Sequence, residues 1–187
     1  MAKLDEVDWT VIPAPEDDGA CEHLPGSELP DVALTATDGS TVNLKTLKGT
    51  TVAYVYPMTG RPDRDLPDGW DLLPGARGCT PQSCAFRDHF AELRAAGANS
   101  VFGISTQDTA YQSEAAERLH LPFALLSDAG FAFSQALKLP TFEADGQTLI
   151  KRLTLIIRDG RIEHVFYPVF PPDRNAEDVL SWLKDNG

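Results

Sequence analysis

Apolar positions along the chain switch between a period of about 2 and a period of about 3.6 residues, and those switches outline the fold. Residues 1–24 show no period, are rich in Asp, Glu and Pro, and read as an extended N-terminal arm. Val32, Leu34 and Ala36 then alternate with small or polar residues, and Asp38-Gly39 turns the chain into Thr41-Val42-Asn43-Leu44, a hairpin signal. Residues 50–56 form a continuous β-rich apolar run, the pattern of a central strand covered on both faces. Over 81–96 the period lengthens, with Phe86, Phe90 and Leu93 at i, i+4 and i+7. This predicts one helix, with Thr80 as its cap, Pro81 at its first position and Gly97 as its stop. A strand over 100–104, a helix over 109–119, a short strand over 123–126 and a helix from Asp128 through Leu137 follow. Strands over 153–157 and 162–166 flank Asp159-Gly160, a two-residue hairpin turn. Asn175 caps a last amphipathic helix that turns Val179, Leu180 and Leu183 inward. Alternating strands and helices closed by a hairpin and a helix predict an α/β domain over 25–187, with a central mixed β-sheet flanked by helices.

One stretch breaks the pattern. Residues 57–78 hold four prolines and four glycines and no period. A loop of that length in a compact domain is usually functional or disordered. Trp70, Leu72 and Leu73 supply apolar anchors, which favours an ordered loop packed onto the body.

Composition narrows the possible functions. The 187 residues carry 28 Asp+Glu against 16 Lys+Arg, a formal charge of −12. Such acidity argues against a nucleic-acid surface, which needs a cationic footprint. No apolar run approaches the roughly 18 residues of a membrane span. The opening Met1-Ala2-Lys3-Leu4-Asp5-Glu6 places acids where a signal peptide has its apolar core, so the expected location is the cytoplasm.

Three cysteines occur, Cys21, Cys79 and Cys84, too few for a disulfide scaffold. Cys79 and Cys84 stand C-x4-C at the start of the predicted helix. A helix N-terminus offers unpaired N–H groups and the positive end of the dipole, which favour a thiolate, the nucleophilic form of cysteine. Five residues apart in a regular helix, the two Cα atoms stand about 8 Å apart, beyond the roughly 7 Å reach of a disulfide. A bond between them therefore requires the first turns to unwind, and Thr80-Pro81-Gln82-Ser83, with Gln82 its one good helix former, suits such melting. This spacing points to redox chemistry rather than to buried structural thiols. A zinc site asks for C-x2-C and further ligands, whereas His23, His89, His120 and His164 are scattered. No Gly-x-Ser-x-Gly elbow supports serine catalysis.

The segment Gly78-Cys79-Thr80-Pro81-Gln82-Ser83-Cys84-Ala85-Phe86-Arg87-Asp88 resembles the peroxidatic-cysteine segment of peroxiredoxins, in particular the bacterioferritin-comigratory, or Q-type, group. The likeness extends from about Gly26 to the C-terminus, through residues 50–57, 103–106, 125–128 and 152–162. It implies a thioredoxin-like fold, with Cys79 as peroxidatic cysteine, Cys84 as resolving cysteine and Arg152 facing the thiolate. Gln82 matches a Glu or Gln position of the group, where it either braces an arginine or stands as a surface glutamine at the helix start. The family places a proline seven residues and a hydroxyl three residues before the cysteine, positions held here by Leu72 and Ala76. Pro57 instead lies 22 residues before Cys79, which reads as an insertion inside the site. On this reading Pro57 shields the thiolate and Thr59 supplies the hydroxyl, while Trp70 is an apolar anchor. Cys21 matches no family position and reads as an inert thiol, the alternative being a partner in another disulfide.

The resemblance thus implies a thiol-dependent peroxidase that reduces hydrogen peroxide and organic hydroperoxides through a sulfenic acid at Cys79 resolved by Cys84. Thioredoxin or a similar dithiol is the expected reductant, and no metal, flavin or haem is required. Two rivals remain: a thiol–disulfide oxidoreductase on the same fold, and a non-enzymatic redox sensor.

Overall fold

The computed structural model describes residues 7–187; the opening six residues, on which the signal-peptide reading rests, lie outside the described residues. Its centre is strand β3 (Thr50–Val55), buried at all six positions as the continuous apolar run requires. Strand alternation sorts its side chains: Val52 and Tyr54, followed by Tyr56, enter the core on one face of the sheet, and Ala53 and Val55 enter the core on the other. Around β3 stand β1 (Leu34–Ala36), β2 (Thr41–Val42), β4 (Ala98–Ser105), β5 (Leu125–Ser127), β8 (Leu153–Arg158) and β9 (Arg161–Phe166), in the order β2-β1-β5-β4-β3-β8-β9. The β3–β4 and β4–β5 pairs are parallel and the remaining pairs antiparallel, so the sheet is mixed.

Helices α1 (Cys79–Asp88), α2 (Phe90–Ala95), α3 (Thr109–Arg118) and α5 (Asn175–Asn186) contribute Phe86, Leu93, Ala115 and Val179 to the core on the Tyr54 face. The opposite core takes Phe133 and Leu137 of α4 (Ala132–Leu137), together with Leu29, Leu34 and Ile150. Cys21 and Leu24 are also buried there, so the segment just before residue 25 contributes to the core. Further back, the Trp9 indole packs edge-on against Phe170 and donates to Asp173 Oδ2 at 3.0 Å. The Asp18 carboxylate accepts from Lys151 Nζ at 2.9 Å and from the Tyr167 hydroxyl at 2.8 Å.

Several expected elements change on inspection. The single helix over 81–96 is two helices meeting at His89, where ψ is 6°. The first begins earlier than expected, at Cys79, with Gly78 rather than Thr80 before it. Asn175 is the first residue of α5 rather than its cap. Asp128 does cap α4, but from a distance: its two carboxylate oxygens accept from the backbone N–H groups of Phe133 and Ser134, each at 2.9 Å. A hairpin that the apolar pattern does not predict, β6 (Thr141–Ala144) with β7 (Gln147–Ile150), forms a separate two-stranded sheet. The 57–78 segment packs against it: Trp70, 3% exposed, lies 6.3 Å from the Phe142 ring, as expected of an apolar anchor.

Candidate active site

Helix α1 has a buried face made by Cys79, Gln82, Ser83 and Phe86, at i, i+3, i+4 and i+7. Phe86 stacks on Tyr54 of β3 with ring centroids 4.5 Å apart, and the Tyr54 hydroxyl donates to Ser83 Oγ at 3.0 Å. These two contacts dock the helix on the sheet and fix its first residue, Cys79, which is 3% exposed. Cys84 falls off this face and is half-buried. Neither sulfur is in a disulfide. With α1 regular from one to the other, their Cα atoms stand about 8 Å apart by helix geometry, too far for a bond.

Gly78 sets the mouth of the helix. Its φ of +112° lies in the left-handed region, and a Cβ there would meet Trp9 Cη2 at 2.6 Å and Pro172 Cγ at 2.7 Å. Only glycine meets both demands.

Arg152, immediately before β8, is buried beside Cys79. Its Nη2 lies 3.2 Å from Cys79 Sγ and within 3.1–3.3 Å of the carbonyl oxygens of Gly75, Ala76 and Arg77. Two N–H bonds thus serve one sulfur and three oxygens. Nη1 donates to Gln82 Oε1, the brace implied by the family likeness. Gln82 Nε2 in turn donates to Asn175 Oδ1 at 3.0 Å, which also accepts from the Thr154 hydroxyl at 2.6 Å. The guanidinium is therefore held by a buried chain of polar groups reaching two other elements. Sequence reasoning does not find Asn175 in this chain, because its partners stand 93 and 21 residues away.

The cavity at Cys79 has a volume of about 10 Å³ and is lined by Met58, Gly60, Leu66 and Trp70, and by Arg77 and Thr80 at the helix mouth. That is room for roughly one water molecule. Pro57 and Thr59, the residues expected to shield and serve the thiolate, are not among its walls. Met58 and Gly60 line the cavity after the end of β3 at Val55. The Thr59 hydroxyl and backbone N–H donate instead to Gln107 Oε1, at 3.5 and 3.2 Å, and its carbonyl accepts from the Tyr111 hydroxyl at 2.8 Å. Thr80 is the hydroxyl-bearing residue among the cavity walls. Arg77 Nη1 pairs with Asp71 at 3.2 Å.

Burial pushes the phenols of Tyr54 and Tyr56 well up, so both stay neutral beside the sulfur. Cys21 belongs to the core on the opposite face of the sheet. Burial, reinforced by Asp18 and Asp17, pushes its thiol up to about 12, in keeping with an inert role. Among the described residues, no group of three or more His, Cys, Asp or Glu side chains is arranged to hold a metal ion, and no helix is long and apolar enough to cross a membrane.

A mixed sheet flanked by helices, with a buried cysteine opening a helix against a buried arginine, defines a thioredoxin-fold thiol protein. Comparison with known proteins narrows this class. The family model described as Redoxin matches residues 24–180. Peroxiredoxin Bcp of Escherichia coli (strain K12) is 34% identical over 166 residues, covering 86% of this chain and 96% of the relative. Peroxiredoxin Q, chloroplastic, of Oryza sativa subsp. japonica is 33% identical over 161 residues, covering 85% of this chain and 66% of the relative. The chain thus spans about two thirds of the length of that chloroplastic relative. Among solved structures, peroxidoxin BcpB from Mycobacterium tuberculosis superposes with a TM-score of 0.71 at 26% identity, covering 88% of this chain and 99% of that one. Peroxiredoxin Q of Xanthomonas campestris shares the fold, with a TM-score of 0.65 at 22% identity over 85% of this chain and 96% of that one. The chain belongs to the peroxiredoxin family, in its Bcp/Q group.

Proposed function

We propose that this protein is a thiol-dependent peroxidase with Cys79 as its nucleophile. The observation that carries the reading is the Arg152 guanidinium, 3.2 Å from a buried sulfur at the first position of a helix. A fixed cation there pairs with the thiolate and meets the charge that develops as the peroxide O–O bond breaks. The Cys79 thiolate attacks the terminal oxygen of a hydroperoxide ROOH, and an S–O bond forms as the O–O bond breaks. The departing RO⁻ takes a proton and leaves as an alcohol, or as water where R is hydrogen. The sulfur is oxidised by two electrons to sulfenic acid and the peroxide is reduced by two. Cys84 then attacks the sulfenic sulfur, water leaves, and a disulfide forms once the first turns of α1 open. A dithiol of the thioredoxin type reduces it by exchange. Thr80, in the cavity wall, offers a hydroxyl to the peroxide, and Gln82 and Asn175 position Arg152. A reducing compartment such as the cytoplasm suits a cycle that must be returned to the dithiol state.

Peroxide consumption with excess thioredoxin and its reductase tests the reading. Wild type should turn over repeatedly, Cys79→Ser should not, and Cys84→Ser should accumulate sulfenic or over-oxidised Cys79 by mass spectrometry. A single stoichiometric oxidation of the wild type would instead mark a sensor, and normal cycling of Cys84→Ser would remove Cys84 from the mechanism.

A further inference from the structure

The 57–78 segment does more than cover the site. Two larger clefts open on the surface beside the Cys79 cavity. One, of about 460 Å³, shares Trp70 and Arg77 with that cavity; the other, of about 630 Å³, shares Met58 and Gly60 with it. Leu66 is the one residue that lines all three. It is part of the partition between the Cys79 cavity and both clefts, beside Trp70 and Arg77 toward one and Met58 and Gly60 toward the other.

Three of the other walls have ties of their own. Trp70 is anchored against Phe142, Arg77 is paired with Asp71, and Gly60 accepts from Arg118 Nη2 at 3.0 Å through its carbonyl. Leu66 is half-buried on a stretch whose neighbours Arg64, Asp65 and Asp68 are exposed. Its side chain packs at the edge of the small cluster around Trp70.

Resting on the peroxidase reading, we propose that Leu66 is a specificity-determining residue that ranks hydroperoxides by size and favours hydrogen peroxide over those carrying bulky organic groups. A cavity of about 10 Å³ admits a molecule little larger than water after a small displacement of Leu66. An aryl or branched alkyl group must remain in one of the clefts, outside the partition. Its peroxide oxygen then reaches Cys79 only when Leu66 swings clear. Truncation to alanine removes the branched end of the partition and joins the cavity to both clefts.

The test is stopped-flow oxidation of the pre-reduced full-length protein by hydrogen peroxide and by cumene hydroperoxide. Wild type should react with hydrogen peroxide at least about 10-fold faster, within the range that steric discrimination supplies. Leu66→Ala should raise the ratio of the cumene hydroperoxide constant to the hydrogen peroxide constant by about 10-fold. Leu66→Phe should widen the wild-type preference. The ratio of the two constants cancels any general loss of active protein, so a merely structural defect leaves it unmoved. Equal wild-type constants, or a ratio unchanged by Leu66→Ala, would overturn the assignment while leaving the peroxidase intact. Failure of hydrogen peroxide to oxidise Cys79 at all would overturn the peroxidase reading and this inference with it.

Discussion

Replacing Arg152 with methionine removes the cation from the site while keeping an unbranched chain in the space. The sulfur then has no guanidinium donor in place of the charged hydrogen bond of 3.2 Å that it accepts in the wild type. Such bonds contribute about 1.5–3 kcal/mol. At about 1.4 kcal/mol per factor of ten, oxidation of Cys79 should slow by about 10- to 150-fold if the bond persists to the transition state. Stability should fall as well. Gln82 Oε1 and the Ala76 carbonyl lose their donor, and both residues are fully buried. Leaving a buried acceptor unpaired costs about 1–3 kcal/mol, so the pair predicts a loss of about 2–6 kcal/mol. Arg152→Lys separates the two effects. A lysine keeps the charge but not the fork that reaches Gln82 and the carbonyls together, so it should recover part of the rate and little of the stability. Stopped-flow fluorescence of the reduced protein gives the rate, and urea unfolding gives the stability. An Arg152→Met rate within about threefold of wild type would refute the role given to the guanidinium, because so small a change is well under 1 kcal/mol.

Three further outcomes follow from the geometry. Gly78→Ala should cost about 1–3 kcal/mol in urea unfolding, since alanine at φ +112° is strained and its Cβ collides with Trp9 and Pro172; displacement of Trp9 should also shift the intrinsic fluorescence. Asp18 is held down to about 2 by its bond to the Lys151 ammonium, then by Tyr167 and the Ala20 N–H, against an ordinary 3.8. Because the folded value is the lower one, the tie is intact above the ordinary carboxylate range and fades as pH falls from there through about 2; a carboxyl carbon resonance titrating near 3.8 would contradict it. Cys21, pushed up to about 12 by burial, should resist maleimide at pH 8 in the native protein while half-buried Cys84 reacts, and should label only on unfolding. Its raised thiol favours the folded state below the ordinary value of 9.0, an advantage lost as pH rises beyond that value toward 12. Peptide mapping by mass spectrometry reads both cysteines.

Much of this architecture is legible in the sequence because local pattern and tertiary environment agree. The apolar run over 50–56 has one reading, and β3 is buried throughout. Asp159-Gly160 announces its hairpin, with both residues at positive φ. The β6–β7 hairpin escapes notice although Asp145-Gly146 marks its turn, because Thr141, Glu143 and Gln147 are exposed and leave only a weak alternation. In the site, the pair Cys79 and Arg152 is reached through the family likeness, since a charge at a strand start has no local signature. The bonds of Thr59 to Gln107 have no local signature, because β3 ends at Val55 and no period orients the residues after it. Asn175 is missed for another reason, since a polar residue at a helix start reads as a cap when its partners are distant in sequence.

On the proposed mechanism, the two chemical steps require opposite states of one helix. Attack on the peroxide uses the closed state, in which Gln82 braces Arg152, Ser83 receives the Tyr54 hydroxyl and Phe86 stacks on Tyr54. Disulfide formation requires that the stretch from Cys79 to Cys84 unwind, because a regular helix keeps the cysteines about 8 Å apart. Unwinding displaces Gln82 and Ser83, and so takes away the brace on the arginine that assisted the first step. The residues that make Cys79 reactive are therefore the same residues that hold Cys84 away from it. Phe86 lies beyond Cys84 in the chain, so its stack on Tyr54 can persist while the first turns open. That stack marks a natural limit to the unwinding: it lets the helix mouth melt for resolution and then refold on the same sheet contact once the disulfide is reduced.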